Sequence, residues 1–228
     1  MRKLAPFIMA LCLLALALPA WADSISPLDI GFSRITGNSS QGDQVNLNVN
    51  VSQVDANTVQ FTFSNLSGIE SVVSEIYFQD LDGMLARYQI LNDQNTGKVE
   101  FEAGAKPANL PGGQDISFST SYAMQAENPS PKYGINPNET LVIYVDLKEG
   151  VTVATLLAGL NSGSVRIGAH VQSIAGGTSD SYVSDPGGGG GTAGAPEPGT
   201  MALMGSGLLA GWLVRRKRGR KGGKGSPA

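Results

Sequence analysis

The chain predicts a mainly β protein, an antiparallel β-sandwich with at most one short helix, and three observations carry that expectation. Apolar and polar residues alternate with period two in several separate runs of the 228-residue sequence. Turn residues punctuate those runs about every 8–12 residues, the spacing of sandwiches and barrels. Only one run has helical spacing. A jelly roll is one arrangement that such strands adopt.

In chain order, the first strand is read from Asp43 to Val54, with Val45, Leu47, Val49 and Val51 on one face and Asn46, Asn48, Asn50 and Ser52 on the other. Asp55-Ala56-Asn57 is turn chemistry, and Val59, Phe61 and Phe63 resume the alternation against Gln60, Thr62 and Ser64, so the two runs form a hairpin. Ser71 to Gln79 is the third strand, with Val72, Ser74, Ile76 and Phe78 opposite Val73, Glu75 and Tyr77. Asp82-Gly83 turns the chain into a fourth, Met84 to Leu91. From Asn92 to Pro137 repeated Gly and Pro predict long loops around short strands near Val99–Phe101 and Ile116–Thr120. Leu141 to Leu147 is apolar on both faces apart from Tyr144 and Asp146, which suits a central strand. Val151 to Leu160 reads as the short helix, from the spacing of Ala154, Leu157 and Ala158 and the stop signals Asn161 and Gly163. Ser164 to Ile174 returns to alternation, with Val165, Ile167 and Val171 inward and Arg166, His170 and Gln172 opposite.

Both ends of the chain carry addresses. Arg2 and Lys3, the apolar stretch Phe7 to Leu18 and the small-x-small sequence Ala20-Trp21-Ala22 form a secretory signal peptide over residues 1–22, with cleavage after Ala22. The partners this implies are the Sec translocon and signal peptidase. Cys12, the sole cysteine, lies inside that signal and follows Leu11 rather than a small residue, so neither lipidation nor a disulfide is expected. Residues 23–185 then form one exported domain, large enough to bury its own core. Between Asp23 and Ala195 the chain has 7 basic and 18 acidic residues, a net charge of −11. Such a polyanion repels phosphate backbones and anionic lipid, which excludes nucleic acid as a partner.

Pro186 to Ala195, with Gly187 through Gly191 consecutive, reads as a flexible linker. Pro196-Glu197-Pro198 follows, then an apolar run from Met201 to Val214, then Arg215-Arg216-Lys217-Arg218. The run predicts a single transmembrane helix over 201–214, about 21 Å long against a hydrocarbon core of roughly 30 Å. Gly205, Gly207 and Gly211 weaken it further, so it suits temporary residence in the membrane. Each basic residue of the cluster costs about 2.5–3.5 kcal/mol at the bilayer centre, so the cluster stops transfer and holds the tail 219–228 on the cytoplasmic side.

The segment 196–218 resembles the PEP-CTERM sorting signal of Gram-negative bacteria, since Pro196, Glu197 and Pro198 precede Gly199-Thr200-Met201-Ala202-Leu203, a Gly/Leu-rich helix and an Arg cluster. The further residues Gly219 to Ala228 depart from that pattern, in which the chain ends soon after the arginines. The resemblance implies recognition by exosortase, a membrane cysteine transpeptidase, with a cut near Pro196–Pro198 and delivery to the cell surface or extracellular matrix. It implies a structural or adhesive role, with extracellular polysaccharide as a candidate partner. A plain C-terminal anchor is the competing account of the same segment.

No catalytic set or cofactor is expected. Ser-His-Asp catalysis needs a histidine, and His170 is the only one, which also excludes a His-rich metal site. Asp80/Asp82 and Glu100/Glu102 are carboxylate pairs of the kind glycosidases use, the latter about 7 Å apart on one face of an extended strand. Nothing in the sequence marks a cleft around either pair, and solvated surface acids explain them. Asp80-Leu81-Asp82-Gly83 holds fragments of a calcium loop without its remaining ligands, so no metal is expected. Asn38, Asn50, Asn65 and Asn138 begin Asn-x-Ser/Thr triplets, which arise by chance in a chain so rich in these residues. The alternative function is a secreted carbohydrate-active hydrolase or carbohydrate-binding module.

Overall fold

The computed structural model describes residues 25–186. The signal peptide with Ala20 and Ala22, Cys12, nearly all of the linker, the sorting segment with Pro196, Glu197 and Pro198, the apolar run 201–214, the basic cluster Arg215–Arg218 and the tail lie outside the described residues. Among the described residues, no helix is long and apolar enough to cross a membrane.

The described residues form ten strands and one α-helix: β1 (Leu28–Arg34), β2 (Leu47–Gln53), β3 (Thr58–Asn65), β4 (Val72–Asp80), β5 (Leu85–Ile90), β6 (Phe101–Ala103), β7 (Tyr122–Ala126), β8 (Thr140–Leu147), α1 (Val153–Ser162), β9 (Val165–Ile174) and β10 (Thr178–Ser184). They are hydrogen-bonded in the order β5-β8-β3-β2-β1-β10-β9-β4-β7-β6. Every neighbouring pair is antiparallel. Strand β1 joins the halves: Leu28 to Gly31 pair with β2, and Phe32 to Arg34 pair with β10. The array thus folds over on itself as two layers, an antiparallel sandwich. Phe61 of β3 meets Phe78 of β4 edge to face at 5.5 Å, and Phe63 meets the same ring at 6.2 Å. These contacts lie at the centre of one apolar core, which takes Val49, Val51, Val59 and Ile143 from one layer and Ile76, Met124, Ile167 and Val171 from the other.

The hairpin read from the sequence is present, with Leu47 to Gln53 paired against Asn65 to Val59 and the predicted inward set Leu47, Val49, Val51, Val59, Phe61 and Phe63 buried. Its first strand starts later than Asp43, because Gly42–Gln44 is a 3-10 turn and Asp43 is drawn to Arg34. Strand β8 is central as expected, between β3 and β5.

Strand β4 departs from simple alternation. The ladder to β9 slips between Val73 and Glu75, leaving Ser74 as the extra residue of a bulge. Val73 therefore joins Ile76 and Phe78 in the core, while Tyr77 faces outward. That outward face is itself covered, since Tyr77 packs with Leu110 and Phe118 from the long loop, and its hydroxyl donates to the Pro107 carbonyl at 3.0 Å. Burial holds the Tyr77 phenol well above its ordinary pKa.

The region of Gly and Pro holds the largest corrections. Ile116–Thr120 is not a strand: Gly113–Ile116 is a 3-10 turn bounded by left-handed Gly112 and Ser117. The strand in this region is β7, starting at Tyr122, and β6 is displaced to Phe101–Ala103. Strands β1 and β10 were not read from the sequence at all. Helix α1 is present, capped by the Thr152 hydroxyl, which accepts from the Thr155 amide at 3.2 Å, and ended by Gly163 at φ +80°. Its buried face is Val153, Leu156 and Leu160, whereas Ala154 and Ala158 are exposed.

Candidate functional site

The sequence offers three groups of titratable residues in the folded domain, and the structure sets each in its own surroundings. Asp80 caps a turn, its two carboxylate oxygens accepting from the Met84 and Leu85 amides at 2.8 and 2.9 Å, while Asp82 is exposed. Glu100 precedes β6 and Glu102 lies on it, both exposed, with Glu102 accepting from the Gln125 amide at 2.8 Å. His170 is largely buried, with Nδ1 2.8 Å from Glu75 Oε2. The Ser74 hydroxyl donates to that same carboxylate oxygen at 2.6 Å. A nucleophile would have to hand its proton to the imidazole, and here the hydroxyl is committed to the acid instead. No group of three or more His, Cys, Asp or Glu that could hold a metal ion occurs among the described residues.

Two buried polar centres escaped the sequence reading. Asp180 of β10 is fully buried and accepts from the Thr36 hydroxyl and Asn38 amide at 2.8 Å, the Ser39 amide at 3.0 Å and Arg34 Nη2 at 2.8 Å. Next to it the Tyr182 hydroxyl donates to the Gly42 carbonyl at 2.8 Å, and burial raises that phenol's pKa. Together they lash the 35–44 loop to the sheet. Asn65, also fully buried, donates to the Ser71 and Ile135 carbonyls at 3.0 Å and accepts from the Ser67 amide at 3.1 Å, so its Asn-x-Ser triplet is closed to modification.

A groove on the outer face of the sheet presents polar groups to solvent. It has a volume of about 420 Å³ and is lined by the hairpin residues Val54, Asp55 and Thr58, by Arg87, Tyr88 and Gln89 of β5, and by Tyr144 and Asp146 of β8. Register explains why these meet. Gln89 lies opposite Tyr144 and Arg87 opposite Asp146 on one side of β8, and Gln60 and Thr58 lie opposite the same two residues on the other. Residues directly opposite share a face. The alternate positions Val59, Phe61, Ile143 and Val145 are buried in the core, so this set faces outward. Arg87 pairs with Asp146, which also accepts from the Thr58 hydroxyl at 3.1 Å. The hydrogen bond from Arg87 is the main reason the Asp146 carboxyl is held below the usual carboxylate range, with the Thr58 bond adding to it. The signal for this face was present in the sequence as the polar half of each alternating strand, but nothing linear joined those halves.

Comparison with known proteins bears on the other end of the chain. Residues 195–218 match the family model of the PEP-CTERM protein-sorting motif. The match confirms the resemblance carried by Pro196, Glu197, Pro198 and the apolar and basic residues after them. No curated protein and no solved structure matches the chain.

Proposed function

We propose that this is an exported protein, delivered through the Sec translocon, trimmed by signal peptidase after Ala22, held briefly in the inner membrane by residues 201–214, and released or transferred to the cell surface when exosortase reads Pro196-Glu197-Pro198. Its folded part, residues 23–185, then serves a structural or adhesive role at the surface or in an exopolysaccharide matrix. The sorting motif at 195–218 carries this proposal. The basic cluster Arg215–Arg218 supplies the stop that leaves the motif outside the membrane, and the consecutive glycines 187–191 leave room for a membrane enzyme to reach it.

Two variants test it against the plain anchor. Glu197→Ala keeps the span and the basic cluster, so the protein inserts normally but stays uncut and cell-associated. Changing Arg215, Arg216, Lys217 and Arg218 to Ser weakens the stop, so more uncut protein passes through with its tail attached. Membrane fractionation and intact mass of the surface form distinguish these products. Release of Glu197→Ala at the wild-type level would reduce the C-terminus to an ordinary anchor.

A further inference from the structure

We propose that the groove between the 54–58 turn, β5 and β8 is a binding site for an uncharged polysaccharide chain. This deepens the adhesive role by naming its ligand class, and it stands on the groove's own chemistry.

The lining is amphipathic in the way a sugar is. Tyr144 is half-buried on the outward face of β8 and offers a ring to the C–H face of a pyranose, with the exposed apolar side chain of Val54 also lining the groove. Gln89 flanks Tyr144 on β5 and presents an amide donor and acceptor at the level of the ring, while Gln60, opposite Tyr144 on β3 and beyond the groove's lining, donates to the Thr62 hydroxyl at 3.0 Å. One register step along, Arg87, Asp146 and Thr58 add a donor fork, carboxylate acceptors and a hydroxyl. The row Ser52, Gln60, Tyr144 and Gln89 crosses four adjacent strands. At about 4.8 Å per strand spacing it runs roughly 14 Å, long enough for several linked rings. The volume of about 420 Å³ falls within the range of small-ligand sites.

Charge selects among polysaccharides. Arg87 and Asp146 of the groove neutralise each other. Asp55 is left at the rim, with one carboxylate oxygen spent on the Asn57 and Thr58 amides. Among the described residues the groove's one cation is Arg87, and residues 23 to 195 carry a net charge of −11. A uronate or sulfated chain would be repelled, so the ligand is a neutral glycan.

The test uses the full chain in detergent, titrated calorimetrically with neutral hexasaccharides of glucose and of mannose, and with a polyuronate hexasaccharide. Binding of at least one neutral probe and none of the polyuronate is expected. Tyr144→Ala should weaken binding by roughly ten-fold or more, as the loss of an aromatic anchor does, while Tyr144→Phe retains it. Gln89→Ala should weaken it less, and Tyr133→Ala, outside the groove, should leave it unchanged. Equal melting temperatures for Tyr144→Ala and wild type exclude a folding defect, and Tyr144→Phe carries the comparison where they differ. Failure of all neutral probes, preference for the polyuronate, or indifference to Tyr144→Ala would each overturn the assignment. Glu197→Ala should bind as wild type does, which separates this outcome from any failure of the sorting proposal.

Discussion

Replacing Asp180 by Asn should be among the most damaging isosteric changes in the domain. The side chain is fully buried, and its two oxygens receive four donors, from Thr36, Asn38, Ser39 and Arg34. An amide of the same shape keeps one acceptor oxygen, which can still serve Thr36 and Asn38. Its NH2 group then points at the Ser39 amide and the Arg34 guanidinium, donor against donor. The lost charge-assisted bond is worth about 1.5–3 kcal/mol, and the stranded backbone amide costs about 1–3 kcal/mol more. Arg34 keeps the Ser39 carbonyl, and the one carboxylate left to it is Asp43, whose side chain is 86% exposed. An exposed partner of that kind returns at most about 1 kcal/mol. The net loss is about 3–5 kcal/mol, the usual cost of removing one member of a buried ion pair. At about 2–4 °C per kcal/mol for a domain of this size, the melting temperature should fall by roughly 6–20 °C. Circular dichroism melts of the full chain measure it, with Asp43→Asn as the control, expected within about 1 kcal/mol of wild type. A melting temperature for Asp180→Asn within 1–2 °C of wild type, or an equal loss for Asp43→Asn, would refute the assignment of Asp180 as the anchor of the 35–44 loop.

Two further outcomes follow from contacts described above. Arg87→Ala should let the Asp146 carboxyl rise toward its ordinary value, read by carboxyl-carbon NMR titration; because the folded value is depressed, its contribution to stability is present above the unfolded pKa and is lost as pH falls through the folded one. Gly134→Ala should cost about 1–3 kcal/mol in a urea melt, since the new Cβ would fall against the Val73 carbonyl and the Val72 side chain, whereas Gly37→Ala meets nothing and should be neutral or slightly stabilising.

How much of this was legible in the sequence depended on whether a strand has two unlike faces. The β2–β3 hairpin buries Val49 and Phe61 and turns the half-buried Asn50 and Thr62 to the other face, so period two marks both the strands and their orientation. Strand β4 is buried on both faces by the core and by Leu110 and Phe118, and its bulge at Ser74 shifts the phase, so alternation misassigned Val73. Strand β10 hides because its buried residues include Asp180, Ser181 and Ser184, which look like a surface loop until Arg34 and the 35–44 loop are placed against them. The groove could not be read at all, because Asp55, Arg87 and Tyr144 come together only through the pairing of β3 and β5 with β8. The sorting motif was legible because it is linear: residues 195–218 match as a stretch of sequence, with no strand pairing needed to bring them together.

The divided pairing of β1 ties the beginning of the domain to its end. Phe32 to Arg34 are among the first residues to emerge from any channel that passes the chain N-terminus first, and their partners Tyr182 to Ser184 are among the last of the domain. A loop of that length closes slowly, and its entropy must be met before the contacts that reward it exist. Half of β1 therefore waits as an unpaired edge, open to wrong pairing, until nearly the whole domain has emerged. The pairing of β1 is complete only with Ser184, upstream of Pro196 in the sequence. The last strand to arrive thus decides when the fold can close: a chain stopped short of Tyr182 keeps an open edge, vulnerable to wrong pairing and proteolysis.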